Sequence, residues 1–518
     1  MTRDVEEKKI REDLDRLARD WGRDTTRIAE EFVQIWSENL GCSVSHLAHR
    51  GNGTTLRTDL TCFRLAGIGN APCLLIGGDG PLGREIMAEF QKSFGSERII
   101  PIVLCSSAEL YVEASSIYPK SRTILLARQH LLQILTATDP LKALRMEIIR
   151  QIPLLRLTPF TITRPVTGSM FFGREREMEQ LLYSTESDFI VAGPGKIGKT
   201  SLLKEFERRV KRSQERRTVI YVDCYQHRGP EDLIRHIAME LQPGRRAFKM
   251  HFEDFPTFLR YNIPRLGKMI ELVLDETDEI LQMEANAGYP ALKALRKAAE
   301  VGRIILGGRK ISSWGSNGEI PLAGRLRILR LGALEKEPAE QLFTAPFEDM
   351  GITIDDRKAV RKHILNMAGR LPHLIQWYGG NLVSTAAQEG RSKIGMQDVR
   401  QLERQFETRY YFTSVFENIK ELDAKLVALI LTKNHLHQAA LTDIANLTEK
   451  ADAVVGNFIS IRNLDEICDD LVIYNVLRWE GDSYSLANDA LHHFANQAGF
   501  LDYKLQETQK ELASQPVV

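Results

Sequence analysis

The sequence predicts a multidomain α/β protein, and three observations carry that expectation. Its 518 residues exceed what one hydrophobic core holds and suggest roughly three to four domains. A short apolar run, Phe189 to Ala192, passes through a glycine-rich turn into helix-forming Ser-Leu-Leu-Lys-Glu-Phe. Further apolar runs at 218–223, 269–275, 303–307 and 328–331 alternate with longer segments, the pattern of a parallel sheet.

Composition excludes several classes. Charged residues make up 27% and hydrophobic ones 43%, and the formal net charge is zero. No global field therefore recruits nucleic acid or anionic membrane. No apolar stretch of about 18 residues offers a membrane span, and the charged start Met-Thr-Arg-Asp-Val-Glu-Glu lacks a signal-peptide core. Six cysteines without C-x-x-C spacing read as buried free thiols, which points to a reducing compartment, the cytoplasm.

Residues 1–157 are expected to form an N-terminal α/β domain. Ile10, Leu14, Leu17 and Trp21 lie at helical spacing in a charged segment, and Ile28, Phe32, Ile35, Trp36 and Leu40 mark a second helix. Strands are expected over 42–48, 56–65 and 72–77, then a helix over 82–94 and strands over 98–105 and 123–127. The glycines of Gly77-Gly-Asp-Gly-Pro-Leu-Gly83 read as a tight turn. This order resembles the core of restriction-endonuclease-like folds. There an Asp on the second strand and a Glu-x-Lys on the third hold Mg²⁺. Asp59 stands at the first position, but Leu74-Leu75-Ile76-Gly77-Gly78-Asp79 supplies neither Glu nor Lys. The resemblance then implies lost nuclease chemistry and a degenerate domain. The other reading is a small Rossmann-like domain that senses or docks a protein partner.

After helical stretches, Thr158-Pro-Phe-Thr-Ile-Thr-Arg-Pro165 reads as a boundary, opening a nucleotide domain over 158–333. Its centre is Gly193-Pro194-Gly195-Lys196-Ile197-Gly198-Lys199-Thr200, followed by Ser201, the complete G-x-x-x-x-G-K-[ST] pattern between strand and helix. Glycines let successive N–H groups point inward, and the helix N-terminus adds its positive end. Lys199 is expected at the β- and γ-phosphates and Thr200 on Mg²⁺. The strand Met269-Ile-Glu-Leu-Val-Leu-Asp275-Glu276 ends in two acids. Asp275 is expected to hold Mg²⁺ through water, and Glu276 to orient or deprotonate the attacking water.

Phe171-Phe172-Gly173-Arg174-Glu-Arg-Glu before this loop resembles the opening box of two related families. These are the signal-transduction ATPases with numerous domains (STAND), in their archaeal-ATPase-like branch, and the origin-recognition branch of AAA+ ATPases. The resemblance implies that Phe172, Gly173 and Arg174 line the base pocket and that ATP or ADP is the ligand. It further implies that Asp278 is an extra acid and that Arg309, at a strand end, reads the γ-phosphate. Arg325 and Arg327 read as structural. Gly369-Arg-Leu-Pro372-His373 resembles the motif of a helical lid, here 334–410, whose Pro372 packs on the nucleotide.

Residues 411–518 read as a winged helix with a C-terminal helix, its hairpin over 476–486. Residues 441–490 hold ten acidic and three basic side chains, and such a face repels nucleic acid. DNA binding by this module is not expected. The resemblance implies instead that it packs on the nucleotide domain in the ADP state; His492 and His493 read as a solvated pair.

The expected function is an ATP-binding, slowly hydrolysing switch. ADP/ATP exchange controls domain opening and self-association, with a role in prokaryotic defence signalling by analogy of fold. The alternatives are an ATP-dependent DNA-binding initiator or transposition helper of AAA+ type, with basic runs such as Arg208-Arg209 and Arg216-Arg217 on phosphate, and an ATP-regulated nuclease using Asp59.

Overall fold

The computed structural model describes residues 3–20, 25–50, 53–77, 90, 99–118, 121–184, 187–213, 217–242, 250–266, 269–297, 301–309, 321, 326–451 and 461–513. The chain divides into two compact units. The first comprises Met1–Phe160, Phe343–Val360 and Tyr378–Val399; the second comprises Thr161–Leu342, Arg361–Trp377 and Arg400–Val518.

The first unit opens with helices Arg3–Asp20 and Thr25–Leu40. Their apolar stripes face inward: Ile10, Leu14 and Leu17 on one, Ile28, Phe32, Trp36 and Leu40 on the other, are buried. Trp21 lies outside the described residues. Strands β1 (Val44–Arg50), β2 (Gly53–Asp59), β3 (Asn70–Ile76), β4 (Ile102–Cys105) and β5 (Ile124–Ala127) form one sheet in that order. β1, β2 and β3 pair antiparallel, and β3, β4 and β5 parallel. β4 and β5 are buried at every position, as parallel strands covered on both faces must be.

The second strand ends at Asp59, well short of the expected residue 65. The Asp59 carboxylate accepts hydrogen bonds from the Thr61 N–H (3.0 Å) and the Thr61 hydroxyl (2.5 Å), a local turn that ends the ladder. The expected helix over 82–94 lies outside the described residues except Phe90, as do positions 78–83 of the glycine run. The later segments of this unit include the parallel pair β11 (Thr353–Ile354) and β12 (Lys393–Ile394). They are held by Asp349, whose two oxygens take Arg64 at 2.7 Å and Arg145 at 2.6 Å.

In the second unit, β6 (Asp188–Ala192), β7 (Arg217–Asp223), β8 (Met269–Asp275), β9 (Val301–Gly308) and β10 (Leu326–Arg330) form an all-parallel sheet. The spatial order is β10-β6-β9-β8-β7. Ile190, Val222, Leu272 and Leu306 of the sheet pack with Leu233, Ile237, Phe255 and Leu292 of the helices in one buried cluster. Since β6 lies inside the sheet with its successor β7 at the far edge, the carboxyl ends of β6, β9 and β8 share one crevice, where α/β sheets take their ligands.

Helices Lys336–Asp349, Arg357–Met367, Pro372–Gln388 and Met396–Glu403 follow β10, and their residues are shared between the two units as given above. The C-terminal stretch contains helices Leu422–Lys433, Leu441–Ala451 and Ile461–Ile473, then the hairpin of β13 (Leu477–Glu480) and β14 (Ser483–Leu486). Gly481 takes φ +69° at its turn. Helices Asp489–Ala495 and Phe500–Ala513 close the chain, and Val427, Leu431, Ile444, Leu471, Tyr484 and Leu491 form a separate core. All six cysteines are free, and only Cys62 is exposed. Among the described residues no helix is long and apolar enough to cross a membrane.

Candidate nucleotide site

The loop after β6 has a conformation that its sequence requires. A Cβ on Gly193 would lie 2.7 Å from the Leu331 carbonyl oxygen, so β10 can approach only a glycine there. Gly198 takes φ +102° as the residue before helix Lys199–Arg212, whose free N–H groups face the crevice. Lys199 folds back over the loop and donates to the Gly193 and Pro194 carbonyls, both at 2.9 Å. Burial lowers its pKa, and the Glu276 charge opposes that shift.

Beside the loop lies a cavity of about 490 Å³, within the size range of small-molecule sites. Its lining includes Lys196, Ile197, Gly198, Lys199, Thr200 and Ser201, together with Phe172, Arg174, Asp275, Glu276, Arg309 and Pro372. The sequence-predicted residues from five separate segments thus share one space.

Four predicted residues do not line it: Gly173, Gly193, Pro194 and Gly195. For Gly173 the reason is steric. It takes φ +70°, and a Cβ there would come within 2.9 Å of the Pro338 Cβ. The position is a close backbone approach to Pro338. Its neighbour Arg174 is half-buried, pairs with Glu177 at 3.3 Å and donates to the Gly332 carbonyl.

At the end of β8 each oxygen of the Asp275 carboxylate accepts a hydrogen bond. Oδ2 accepts from the Tyr221 hydroxyl at 2.7 Å and Oδ1 from the Glu276 N–H at 2.9 Å. Glu276 takes φ +49°, and burial raises its pKa while Lys199 pulls it down. Asp278 accepts the Arg309 N–H with both oxygens, at 3.0 and 2.8 Å. The Arg309 guanidinium lies beside Gly195, 3.6–3.8 Å from where a Cβ would stand.

Several residues of the site were not singled out from the sequence. Tyr221 lies on β7 and looks like any strand residue. The segment 161–166, read only as a boundary, lines the cavity and is fixed by Val166 N–H on the Ser201 hydroxyl (3.1 Å) and Thr161 N–H on the Gln376 side chain (3.1 Å). Ser201 therefore holds protein backbone. His373 follows Pro372 in the lining and hydrogen-bonds the Lys196 backbone.

Asn475, just past helix Ile461–Ile473, donates from its side-chain amide to the Gly195 carbonyl at 2.7 Å. The Gly195 N–H in turn faces the Ile473 carbonyl at 3.4 Å. Neither residue carries a motif; only the left-handed φ of +59° at Asn475, which suits Asn, marks it locally.

His492 and His493 stand apart from this cavity; His492 contacts the Thr432 carbonyl at 2.8 Å and stacks on His435. Arg327 is exposed and does not line it, and Arg325 lies outside the described residues. Around Asp59, and elsewhere among the described residues, no cluster of three His, Cys, Asp or Glu side chains is arranged to hold a metal ion.

Residues 183–312 match the family model described as "AAA domain". No curated protein matches the chain. Among solved structures, the Walker-type ATPase PABY2304 of Pyrococcus abyssi is 17% identical, with a TM-score of 0.49 over 64% of this chain and 99% of that one. The Aeropyrum pernix ORC2 protein is 14% identical, with a TM-score of 0.46 over 66% and 96%. Thermotoga maritima RuvB is 16% identical, with a TM-score of 0.37 over 64% and 98%. Residues 183–312 are thus similar to an AAA domain, and they contain the phosphate loop and strands β6 to β9.

Proposed function

We propose that the chain is an ATP-binding, slowly hydrolysing switch of STAND type, in which nucleotide state sets how its C-terminal module sits on the phosphate loop. The observation that carries this reading is the pair of contacts at Gly195. The loop's own N–H and C=O groups are bonded to Ile473 and Asn475. Gly195 directly precedes Lys196 to Thr200, the part of the loop that lines the cavity, so phosphate and C-terminal module act on one loop.

An adenine nucleotide fits the residues present. Phe172, Arg174 and Pro372 offer the base an apolar and cationic wall, and Gly198 to Thr200 offer phosphate a helix N-terminus. Thr200 and Asp275 would hold Mg²⁺, which supplies charge neutralisation of the phosphates when bound. Lys199 and Arg309 bring two cations to the same end, and Glu276 is the acid placed to orient or accept a proton from water. Burial raises its pKa, so its ionised form is a stronger base than an ordinary glutamate.

In this reading ADP leaves the C-terminal module docked, and ATP displaces it and favours self-association. Moving such an equilibrium from 1:99 to 99:1 takes about 5.5 kcal/mol of differential binding, which a few charge-assisted bonds can supply. The N-terminal unit would then engage a protein partner, in prokaryotic defence by analogy of fold. Light scattering of the full chain tests the model. A larger assembly with a non-hydrolysable ATP analogue than with ADP is expected; identical masses at full occupancy would discard it.

A further inference from the structure

Helix Lys199–Arg212 begins at the phosphate loop, and one of its sides holds the segment that leads into helix Glu175–Tyr183. Ser201, Glu205 and Arg209 follow at four-residue spacing and so stand on one face. The Ser201 hydroxyl accepts the Val166 N–H at 3.1 Å, and Glu205 Oε2 accepts the Gly168 N–H at 2.8 Å. Arg209 donates to both oxygens of Glu175, at 2.7 and 2.8 Å, and its guanidinium stands 6.0 Å from the centre of the Phe171 ring. The three side chains thus meet residues 166, 168, 171 and 175 in chain order.

Glu205 is the middle of the three and is buried, at 0% exposure. A buried carboxylate persists only when its oxygens are paired. Burial would raise its pKa, but hydrogen bonds from Arg208, the Gly168 N–H and Arg209 hold it below the ordinary glutamate value. Arg208 Nε donates to it at 2.7 Å and Arg209 Nε at 2.9 Å. The basic pair Arg208-Arg209 is thereby engaged with Glu205 and Glu175.

Gly168 is where the segment turns. It takes φ +63°, and its carbonyl accepts the Phe171 N–H at 3.0 Å, which closes the turn Gly168–Met170. Val166 before the turn, and Met170, Phe171 and Phe172 after it, line the nucleotide cavity. Anchoring Gly168 therefore sets where four apolar side chains stand. Such groups have nothing to offer a phosphate, but they suit the face of a base.

We propose that Glu205 is a positioning residue for the nucleotide: through Gly168 it holds the wall of Val166, Met170, Phe171 and Phe172 in place against the base, in register with the phosphate loop at the start of the same helix. The proposal rests on the nucleotide reading above and names what aligns the two ends of that site. Glu205 acts through the segment and needs no contact with the ligand.

Calorimetric titration of the full chain with ATP and with inorganic tripolyphosphate, both with Mg²⁺, tests this. A loosened wall lowers affinity only for a ligand that carries a base, whereas a general loss of structure lowers affinity for both. Glu205→Met, which deletes the acceptor at similar length, should weaken ATP about tenfold and leave tripolyphosphate within about twofold. Glu205→Gln keeps an oxygen for the Gly168 N–H and should reduce the loss of ATP affinity to about threefold. Arg209→Gln, at a partly exposed position, releases Glu175 and one bond to Glu205. It should show the same selective loss of about threefold, even if Glu205→Met does not fold. Equal losses for the two ligands in the folded variants, or no loss for either, would overturn the positioning role and leave nucleotide binding standing. A native chain that binds neither ligand would remove the nucleotide reading and this role together.

Discussion

The Ala487 carbonyl oxygen lies 1.9 Å from the position a Cβ on Gly369 would occupy, so the turn before helix Pro372–Gln388 and the strand exit of the C-terminal hairpin are in backbone contact. Gly369 also takes φ +56°, a conformation that costs an L-residue about 1–2 kcal/mol. Gly369→Ala therefore must both strain its own backbone and push the hairpin away. The expected loss is about 2–4 kcal/mol, read as a lower midpoint in urea unfolding followed by tryptophan fluorescence. Trp377 and Trp479 lie on the two elements concerned. An unchanged midpoint would contradict the contact.

Lys199→Ala should weaken ATP binding at least a hundredfold while leaving the far-ultraviolet circular dichroism intact. The amine is buried and bonded only to loop carbonyls, so its removal deletes a ligand contact and relieves a desolvated charge. Glu276→Gln should bind ATP with near-native affinity and lose hydrolysis by about 10²-fold or more. Burial raises the Glu276 pKa, so its basic form is present only above that raised value. Hydrolysis should accordingly fall on the acid side at a pH above the ordinary glutamate range. A rate that stays flat down to that range would exclude Glu276 as the base.

How much of this was legible beforehand follows from sequence distance. The phosphate loop is a contiguous segment whose glycines and lysine have fixed offsets, and Asp275-Glu276 closes an apolar run; both are local patterns. Tyr221 and Asp275 are 54 residues apart and meet because β7 pairs with β8 in register. Gly195 and Asn475 are 280 residues apart, and nothing in either segment announces the other. Gly173 carries a steric demand that its own segment does not announce, since Pro338 stands where a Cβ would be. The end of β2 was readable in principle, since Asp-x-Thr can bond its own backbone, but Leu60, Cys62, Phe63 and Leu65 hid that turn.

Tyr221→Phe tests how Asp275 is poised. Without the hydroxyl, Oδ2 of a carboxylate 1% exposed is left unpaired. A lost hydrogen bond to a buried charge costs about 1.5–3 kcal/mol, so the metal-free protein should unfold more readily by that amount. Oδ1 stays fixed by the Glu276 N–H, so the carboxylate keeps its direction. Mg²⁺ then relieves a penalty that the native protein does not have. The Mg²⁺ concentration that half-saturates ATP binding should fall severalfold in the variant, measured with a fluorescent nucleotide. A rise would show that Tyr221 helps to hold the metal.

Asn475 offers the sharpest test of the coupling between the C-terminal module and the phosphate loop. Its amide contact to Gly195 is a single neutral hydrogen bond, worth about 1 kcal/mol. Alanine would remove it but would also strain the backbone at φ +59°, confusing two effects. Glycine keeps that conformation without cost and deletes only the amide. If the docked module must leave before nucleotide can, Asn475→Gly should speed ADP release about fivefold while leaving the Lys199-dependent affinity for ATP nearly unchanged. A stopped-flow chase of fluorescent ADP reads the first quantity and equilibrium titration the second. An unaltered release rate would mean that the contact exists without gating the site.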